Sequence, residues 1–568
     1  MSHQRNDSPG APGLSGAIAL PNRATAALCG LIAGGAGLAA AEAVGALTRP
    51  EATPLLAVGA AVIDLVPRPL KEFAVAAFGT ADKAVLLGGM AVTLAALAAL
   101  LGTASRRRPA VGGAGIALVG LIGVAAALTR PDGGLLDGLP SAVGAGAATV
   151  LLRGLLARAP RQGGPPEEGD APPGARGGPP VGASADIPAS TSAASPDAAI
   201  GERVPFDRRR FTLLAGAAAA ASAGIGTGAR RYAASRAEGA ASAGRITLPA
   251  PASPAPPLAD GVDLELDGLT PFFTPDGSFY RIDTALTVPR IDATAWTLRV
   301  HGQGATERRY SFDDLLDRPD LMERDITLAC VSNPVGGSYV GNARWIGVPL
   351  AALLEEAGVR PPAEGGPADQ LVSRSSDGMT IGTPVADVLD GRDAMLALGM
   401  NGRPLPPEHG FPVRMVVPGL YGYVSACKWI VEIELTTFDA FDAYWVPRGW
   451  ADRAPVKAQA RIDTPRQQAR LDAGPVTVAG VAWAQHVGVD AVEVRVDDGP
   501  WHPARLAAEG TADTWRQWVF DWDAEPGEHR LGVRATDRNG DVQTGREAPP
   551  APDGATGWHT VDVTVETT

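Results

Sequence analysis

The sequence predicts a multi-domain chain: an N-terminal α-helical transmembrane bundle, then an α+β domain, then an immunoglobulin-like β-sandwich. Three observations carry this reading. Residues 1–160 are dominated by Ala, Gly, Leu and Val with hardly a charge inside the runs, whereas charged residues, tryptophans and histidines concentrate after residue 260. From residue 261 to about 438, short β-branched runs mix with helical stretches, the signature of an α+β unit. From about 455 to 565 only short alternating runs remain, at regular spacing and separated by turn signals.

Five segments are apolar and long enough for the ~30 Å hydrocarbon layer of a bilayer: residues 24–47, 84–101, 110–128, 139–156 and 211–229. The run 55–66 is too short and carries Asp64, so it reads as interfacial or re-entrant. With the N-terminus inside, five spans put Arg106 to Arg108, Arg153, Arg158, Arg161 and Arg208 to Arg210 on the cytoplasmic side, as the positive-inside rule requires. Small residues crowd the spans, Gly30-x-x-x-Gly34 among them, and allow close helix approach. All seven histidines lie outside the spans, which excludes a membrane haem held by two histidines. The bundle therefore reads as an anchor in the cytoplasmic membrane, in contact with lipid, with the C-terminal part extracytoplasmic.

The remaining organisation follows from composition. Residues 1–158 hold four spans; 159–204, rich in Pro, Gly, Ala and Ser, form a flexible linker without enough apolar surface to offset ordering. Residues 205–230 carry Arg208-Arg209-Arg210-Phe211-Thr212-Leu213 and the fifth span, a pattern similar to a twin-arginine export signal. Residues 231–260 are a second tether, 261–446 the α+β domain and 447–568 the sandwich. The net charge of −13 gives no basic footprint for nucleic acid. Three cysteines, Cys29, Cys330 and Cys427, permit neither a disulfide framework nor a CxxC zinc site.

Within the α+β part, strands are expected at 296–300, 326–329, 413–417 and 429–435, and helices at 312–316 and 350–357. Strands of the sandwich are expected at 476–481, 491–496, 516–522, 529–535 and 560–565, with Asp498-Gly499 and Asn539-Gly540 as hairpin-type dipeptides.

The stretch from Asp325 to Gly358 organises the rest. A short apolar run delivers Cys330 to a loop rich in Gly, Asn and Ser, and Asn342-Ala343-Arg344-Trp345 follows. A second block runs from Met400 to Trp429, with Met-Asn-Gly, His-Gly-Phe-Pro-Val-Arg and Lys-Trp in order; a third is Phe279-Tyr280-Arg281 with Val288-Pro289. Together these blocks resemble the molybdopterin-binding domain of the sulfite oxidase family, over roughly residues 262–565.

The resemblance implies a molybdenum–molybdopterin cofactor and a membrane-anchored oxidoreductase performing oxygen-atom transfer on a small oxyanion or sulfur-containing substrate. Cys330 is the implied metal ligand, a soft thiolate suited to such a centre. Arg281 and Arg344 are the implied catalytic arginines, guanidinium being well matched to oxyanions. Tyr280, Asn342, His409, Arg414, Ser425 and Lys428 are the implied cofactor-binding residues. Family members continue Asn-His after the entry arginine, whereas here Ile282-Asp283 follows, a carboxylate able to pair with Arg281. The family also tends to carry a tyrosine in the segment matching 377–383, which here holds Gly378, Met379 and Thr380; both departures count against sulfite itself. Cys427, between Ala426 and Lys428, reads as a buried structural thiol.

Without haem histidines or cluster cysteines, the chain needs a separate electron carrier, and the sandwich resembles a domain that pairs subunits in this family. Two other functions remain: a reductase of sulfoxide-like groups using the same centre, and a membrane-tethered binding protein without chemistry. Retention of Cys330 argues against the last.

Overall fold

A computed structural model describes residues 21–67, 70, 77–78, 82–130, 133–159, 208–240 and 246–567. The chain divides into two compact units, 1–129 with 133–233, and 130–132 with 234–568.

The first unit is helical: Arg23–Leu47, Pro54–Leu65, Asp82–Ser105, Pro109–Leu128, Leu139–Arg158 and Arg208–Ala240. Asn22 caps the first of these, its Oδ1 accepting from the Thr25 amide at 2.7 Å. Among the described residues, four helices are long and apolar enough to cross a membrane: Arg23–Leu47, Lys83–Ser105, Pro109–Leu128 and Leu135–Arg158. The fifth expected span falls inside Arg208–Ala240, which is not one of these four; Ala and Gly, which dominate it, supply little apolar surface per residue. Pro54–Leu65, at 12 residues, is short of a span, as expected. Gly30 and Gly34 let Arg23–Leu47 approach Asp82–Ser105: a Cβ at Gly34 would lie 2.9 Å from the Ala98 Cβ, and one at Gly102 2.8 Å from the Gly30 Cα. The linker expected at 159–204 lies, beyond Ala159, outside the described residues.

Segment 246–259 belongs to the second unit. The sequence presents it as a tether, but Ser253 pairs with Met322, its amide donating to Leu321 O (3.1 Å) and its carbonyl accepting from Glu323 N (2.8 Å). An extended Pro-rich segment can cover an open strand edge in this way, and Ile246 and Leu248 rest on the core beneath.

Ten strands follow: β1 (Thr297–Gly302), β2 (Arg308–Ser311), β3 (Met322–Ala329), β4 (Val340–Pro349), β5 (Gln370–Ser375), β6 (Thr380–Pro384), β7 (Met395–Met400), β8 (Arg403–Pro404), β9 (Arg414–Val416) and β10 (Ile430–Thr436). They form two sheets, a mixed one, β2-β1-β10-β5-β6, in which β1 and β10 run parallel, and an antiparallel one, β3-β4-β7-β8, with β9 on β7. Helices Phe312–Leu316 and Leu350–Glu356 stand where expected. The second sheet positions the site. It aligns Ala329 with Val340, Trp345 with Met400 and Leu396 with Met415, so the end of β3 and the start of β9 belong to one framework.

Nine more strands build the C-terminal region: β11 (Gln459–Thr464), β12 (Ala469–Asp472), β13 (Gly474–Trp483), β14 (Val489–Val496), β15 (Trp501–Pro503), β16 (Arg505–Leu506), β17 (Arg516–Ala524), β18 (Gly527–Asp537) and β19 (His559–Glu566). They form sheets β11-β13-β17-β16 and β12-β19-β18-β14-β15, whose inward residues Val478, Trp518, Val494, Leu531 and Val563 share one core. Asp498-Gly499 joins β14 to β15, and the Asn539-Gly540 turn closes on a Thr536–Val542 bridge. Trp515 ties this region to the preceding sheets: its amide donates to Thr327 Oγ1 at 2.7 Å and its indole to Phe272 O at 2.9 Å.

Candidate active site

Strand β3 ends at Ala329 and hands Cys330 to a ten-residue loop that returns as β4. The loop is closed by its own bonds: Cys330 N donates to Tyr339 O (2.9 Å), Tyr339 N to Asn333 Oδ1 (2.9 Å) and Gly337 N to Pro334 O (2.9 Å). Gly336, at φ +74°, makes the left-handed turn that a side chain would strain. Cys330 is 9% exposed and its Sγ lies 2.9 Å from Ser332 Oγ. Burial pushes the thiol pKa up, which favours the protonated thiol. A bound cationic centre reverses this, since coordination removes the proton.

Above the thiol lies an aromatic wall. Tyr280 stacks on Phe279 with centroids 5.3 Å apart, and its ring is 6.5 Å from that of Tyr339. Burial is the main reason the Tyr280 hydroxyl is held far above its ordinary pKa, with Cys330 adding to it. The Tyr280 hydroxyl lies beside Gly422 and the Ala329 carbonyl: a Cβ on Gly422 would stand 3.6 Å from each, at ordinary contact distance. Tyr421, buried beside Gly422, has its hydroxyl pushed up to about 12 by burial.

The basic residues from the His-Gly-Phe-Pro-Val-Arg block converge here. His409 packs edge-on against Phe279 at 5.6 Å, and its Nε2 meets Asp276 O at 2.8 Å. Burial lowers its pKa, so the ring is neutral and Nε2 donates. Arg414 is 5% exposed; its guanidinium lies over the Trp345 ring at 5.0 Å and donates to His409 O at 3.2 Å. Its Nε has no partner, and no carboxylate pairs with it among the described residues. Burial brings its pKa down to about 10. Lys428 lies over Trp429 at 4.5 Å and donates to Asp283 Oδ2 (2.8 Å) and Glu408 O (3.3 Å), with its pKa lowered to about 8 by burial.

Four expected site residues are occupied elsewhere. Arg281 donates from Nε to the same Asp283 carboxylate at 2.9 Å, as its Ile282-Asp283 context suggested. Arg344 forms a two-pronged pair with Asp325 (2.7 and 2.8 Å) directly across the β3/β4 ladder. That position is four ladder steps from Val340, roughly 13 Å from the Cys330 end. Asn342 is fully buried and satisfied, donating to Phe272 O (2.9 Å) and accepting from Thr327 Oγ1 (3.0 Å). Ser425 spends its hydroxyl on the carbonyls of Leu420 (2.9 Å) and Tyr421 (3.1 Å), one turn back along its own short helix. Asn342 and Arg344 thus brace the framework, and the structure does not bring them to the thiol.

Sequence reasoning missed Asn333 and Tyr421. Asn333, three residues after the cysteine, has an Nδ2 without a partner. That orphan and the unpaired Nε of Arg414 are donors awaiting acceptors. An anionic cofactor rich in oxygen acceptors fits this donor set, and Cys330 offers the thiolate such a metal takes.

Comparison with known proteins agrees. The oxidoreductase molybdopterin binding domain matches residues 285–445. Sulfite oxidase of Gallus gallus is 30% identical over 323 residues, covering 49% of this chain and 69% of that one. The chain belongs to the sulfite oxidase family. It is a molybdenum-cofactor oxidoreductase, and its cofactor is molybdenum–molybdopterin. Mitochondrial sulfite oxidase of Homo sapiens is 29% identical over 322 residues, and this chain spans 58% of its length. Among solved structures, the sulfane dehydrogenase SoxCD from Paracoccus pantotrophus is 25% identical, with a TM-score of 0.45, covering 52% of this chain and 84% of that one.

Proposed function

We propose that the chain is a membrane-anchored enzyme whose Cys330 thiolate is the protein's ligand to molybdenum, and which transfers an oxygen atom to or from a small sulfur-containing substrate. The observation that carries this is that Tyr280 borders both the Cys330 thiol and the buried guanidinium of Arg414, which lacks a counter-ion. When bound, the cofactor supplies two-electron chemistry coupled to oxygen-atom transfer. Arg414 holds the anionic oxygens of the pterin, while His409 and Lys428 shape the pocket around them. Tyr280 stays protonated throughout the physiological range and so keeps a hydroxyl donor at the site. The aromatic wall keeps bulk water from the reacting atoms.

The carboxylate of Asp283 takes up both Arg281 and Lys428, which mutes the rim's attraction for a dianion. This favours an uncharged sulfur substrate, including reduction of a sulfoxide-like group, over sulfite. Electrons pass to or from a separate carrier. The C-terminal region is an immunoglobulin-like sandwich that pairs two subunits. With Arg106 to Arg108 and Arg153 to Arg158 inside, a fifth crossing by residues 211–229 carries the catalytic unit outside the cytoplasmic membrane.

Molybdenum content per chain and its response to Cys330→Ser test the assignment. The variant is expected to lose turnover with the fold intact; retained activity would refute the ligand role. Reporter fusions after Arg108 and at Thr568 are expected to read cytoplasm and exterior respectively. Protease protection of the C-terminus in intact cells would contradict the orientation.

A further inference from the structure

The loop that carries Cys330 touches more than its own domain. Its tip, residues 335–337, is gripped by two residues of the C-terminal sandwich. Arg461, on β11, donates from one terminal nitrogen to Gly337 O at 2.9 Å. Its other groups are anchored, Nε to Asp463 Oδ1 at 2.6 Å and the second terminal nitrogen to Thr270 Oγ1 at 3.0 Å. His559, at the start of β19, accepts from Ile462 N on Nδ1 at 3.0 Å, which turns its far ring edge onto Gly336. A Cβ on Gly336 would collide with that ring, and one on Gly557 would meet the Val335 side chain at 3.6 Å.

These contacts have a direction. Arg461 and His559 are nearly or largely buried and each is fixed at its sandwich end by a second bond, so they are rigid relative to β11 and β19. The loop has small residues at its tip, Gly336 and Gly337, and its internal bonds all lie within residues 330–339. Chain connectivity anchors it only through β3 and β4. Without the clasp, the tip is a glycine turn free to tilt, and the tilt passes to Asn333 and Cys330 through the bonds that close the loop.

We propose that the sandwich is a working part of the metal site: Arg461 and His559 are positioning residues that clasp the loop tip and so aim the Cys330 thiolate. This rests on Cys330 being the molybdenum ligand. Groups that orient a metal ligand from outside its coordination sphere typically matter by roughly 10–100-fold in metal affinity or activity.

The test uses the full chain, purified in detergent with its cofactor and reduced chemically, so that no substrate is needed. Molybdenum content and the electron paramagnetic resonance signal of the half-reduced molybdenum are measured for Arg461→Ala, His559→Asn, Arg516→Ala and Cys330→Ser. His559→Asn is the mild variant: the Asn oxygen still accepts from Ile462 N, while the ring edge against Gly336 is gone. Arg516 serves as the control, because it braces the sandwich through Ala507 O and Val489 O without reaching the loop. The expected result is a shifted signal in Arg461→Ala and His559→Asn at near-normal molybdenum content, and a wild-type signal in Arg516→Ala. Wild-type signals in both clasp variants, or an equal shift in Arg516→Ala, would overturn the clasp. A wild-type signal in Cys330→Ser would instead overturn the ligand reading on which it stands.

Discussion

Lys428 and Asp283 form an ion pair at 2.8 Å in which the carboxylate is 1% exposed, and the same carboxylate oxygen receives Arg281 at 2.9 Å. Two cations on one buried carboxylate form a closed electrostatic unit, so neither projects its charge fully to an incoming anion. Asp283→Asn removes the negative charge. Lys428, already held at about 8 by burial, is expected to lose its proton near neutrality. Arg281, 39% exposed, then becomes available. Inhibition by sulfate is expected to strengthen about tenfold, the equivalent of one charge-assisted hydrogen bond of about 1.5 kcal/mol. An unchanged inhibition constant would show that Arg281 does not face the substrate side.

Arg344 and Asp325 make the opposite kind of pair, a structural one. Asp325 is 3% exposed and Arg344 lies over Phe273 at 5.2 Å. Arg344→Ala strands a buried carboxylate and should destabilise the unit by roughly 3 kcal/mol, the low end for such pairs because the arginine is a quarter exposed. Denaturant unfolding measures this. Substrate KM should stay within about twofold; a large rise in KM with stability intact would restore the catalytic role that the sequence suggested.

His559 makes the sandwich sensitive to acid. Burial, with Arg461 as a lesser cause and Asp463 opposing, lowers its pKa from 6.5 to about 4. Between these values the unfolded chain carries a proton that the folded chain refuses. Stability is therefore whole above about 6.5 and declines as pH falls towards 4, by up to about 1.4 kcal/mol per pH unit. His559→Asn cannot titrate and should flatten the difference in urea midpoint between pH 7 and pH 5. Equal pH dependence in both proteins would exclude His559 as the source.

Much of this was legible in the sequence, and what was not has physical reasons. Cys330 could be found because a β-branched run followed by Gly, Asn and Ser marks a strand end, a local property. Arg281 and Asp283 are two residues apart, so their pairing was readable as well. Lys428, 145 residues from Asp283, was not: only the fold brings it there. Arg344 is named from its matched block, and its pairing with Asp325 across an antiparallel ladder, which carries it away from the Cys330 end at every step, is a long-range relation the block does not display. For Asn342 and Ser425 the sequence could not supply the bond partners: a small polar residue in a matched block serves equally as ligand or as brace, and here both bond the surrounding framework. Arg461 and His559 meet the loop across more than 120 residues of chain, beyond any local pattern.

Arg414 carries the last prediction, because its surroundings oppose it. A guanidinium 5% exposed, with an unpaired Nε and one bond to His409 O, costs the cofactor-free protein stability. The Trp345 face at 5.0 Å offsets only part of that, by about 1–2 kcal/mol. Arg414→Met keeps the length and the apolar stem and removes the charge. In cofactor-free protein it should therefore raise the unfolding midpoint, by about 1–3 kcal/mol in free energy, as replacement of buried charge by packed apolar groups does elsewhere. In protein made with molybdenum supplied, the same variant should retain little pterin, since the anionic oxygens lose their cation. Thermal unfolding of the two preparations and fluorescence of the released pterin give both numbers. A variant that is less stable without cofactor yet still holds pterin would mean that Arg414 serves the core rather than the cofactor.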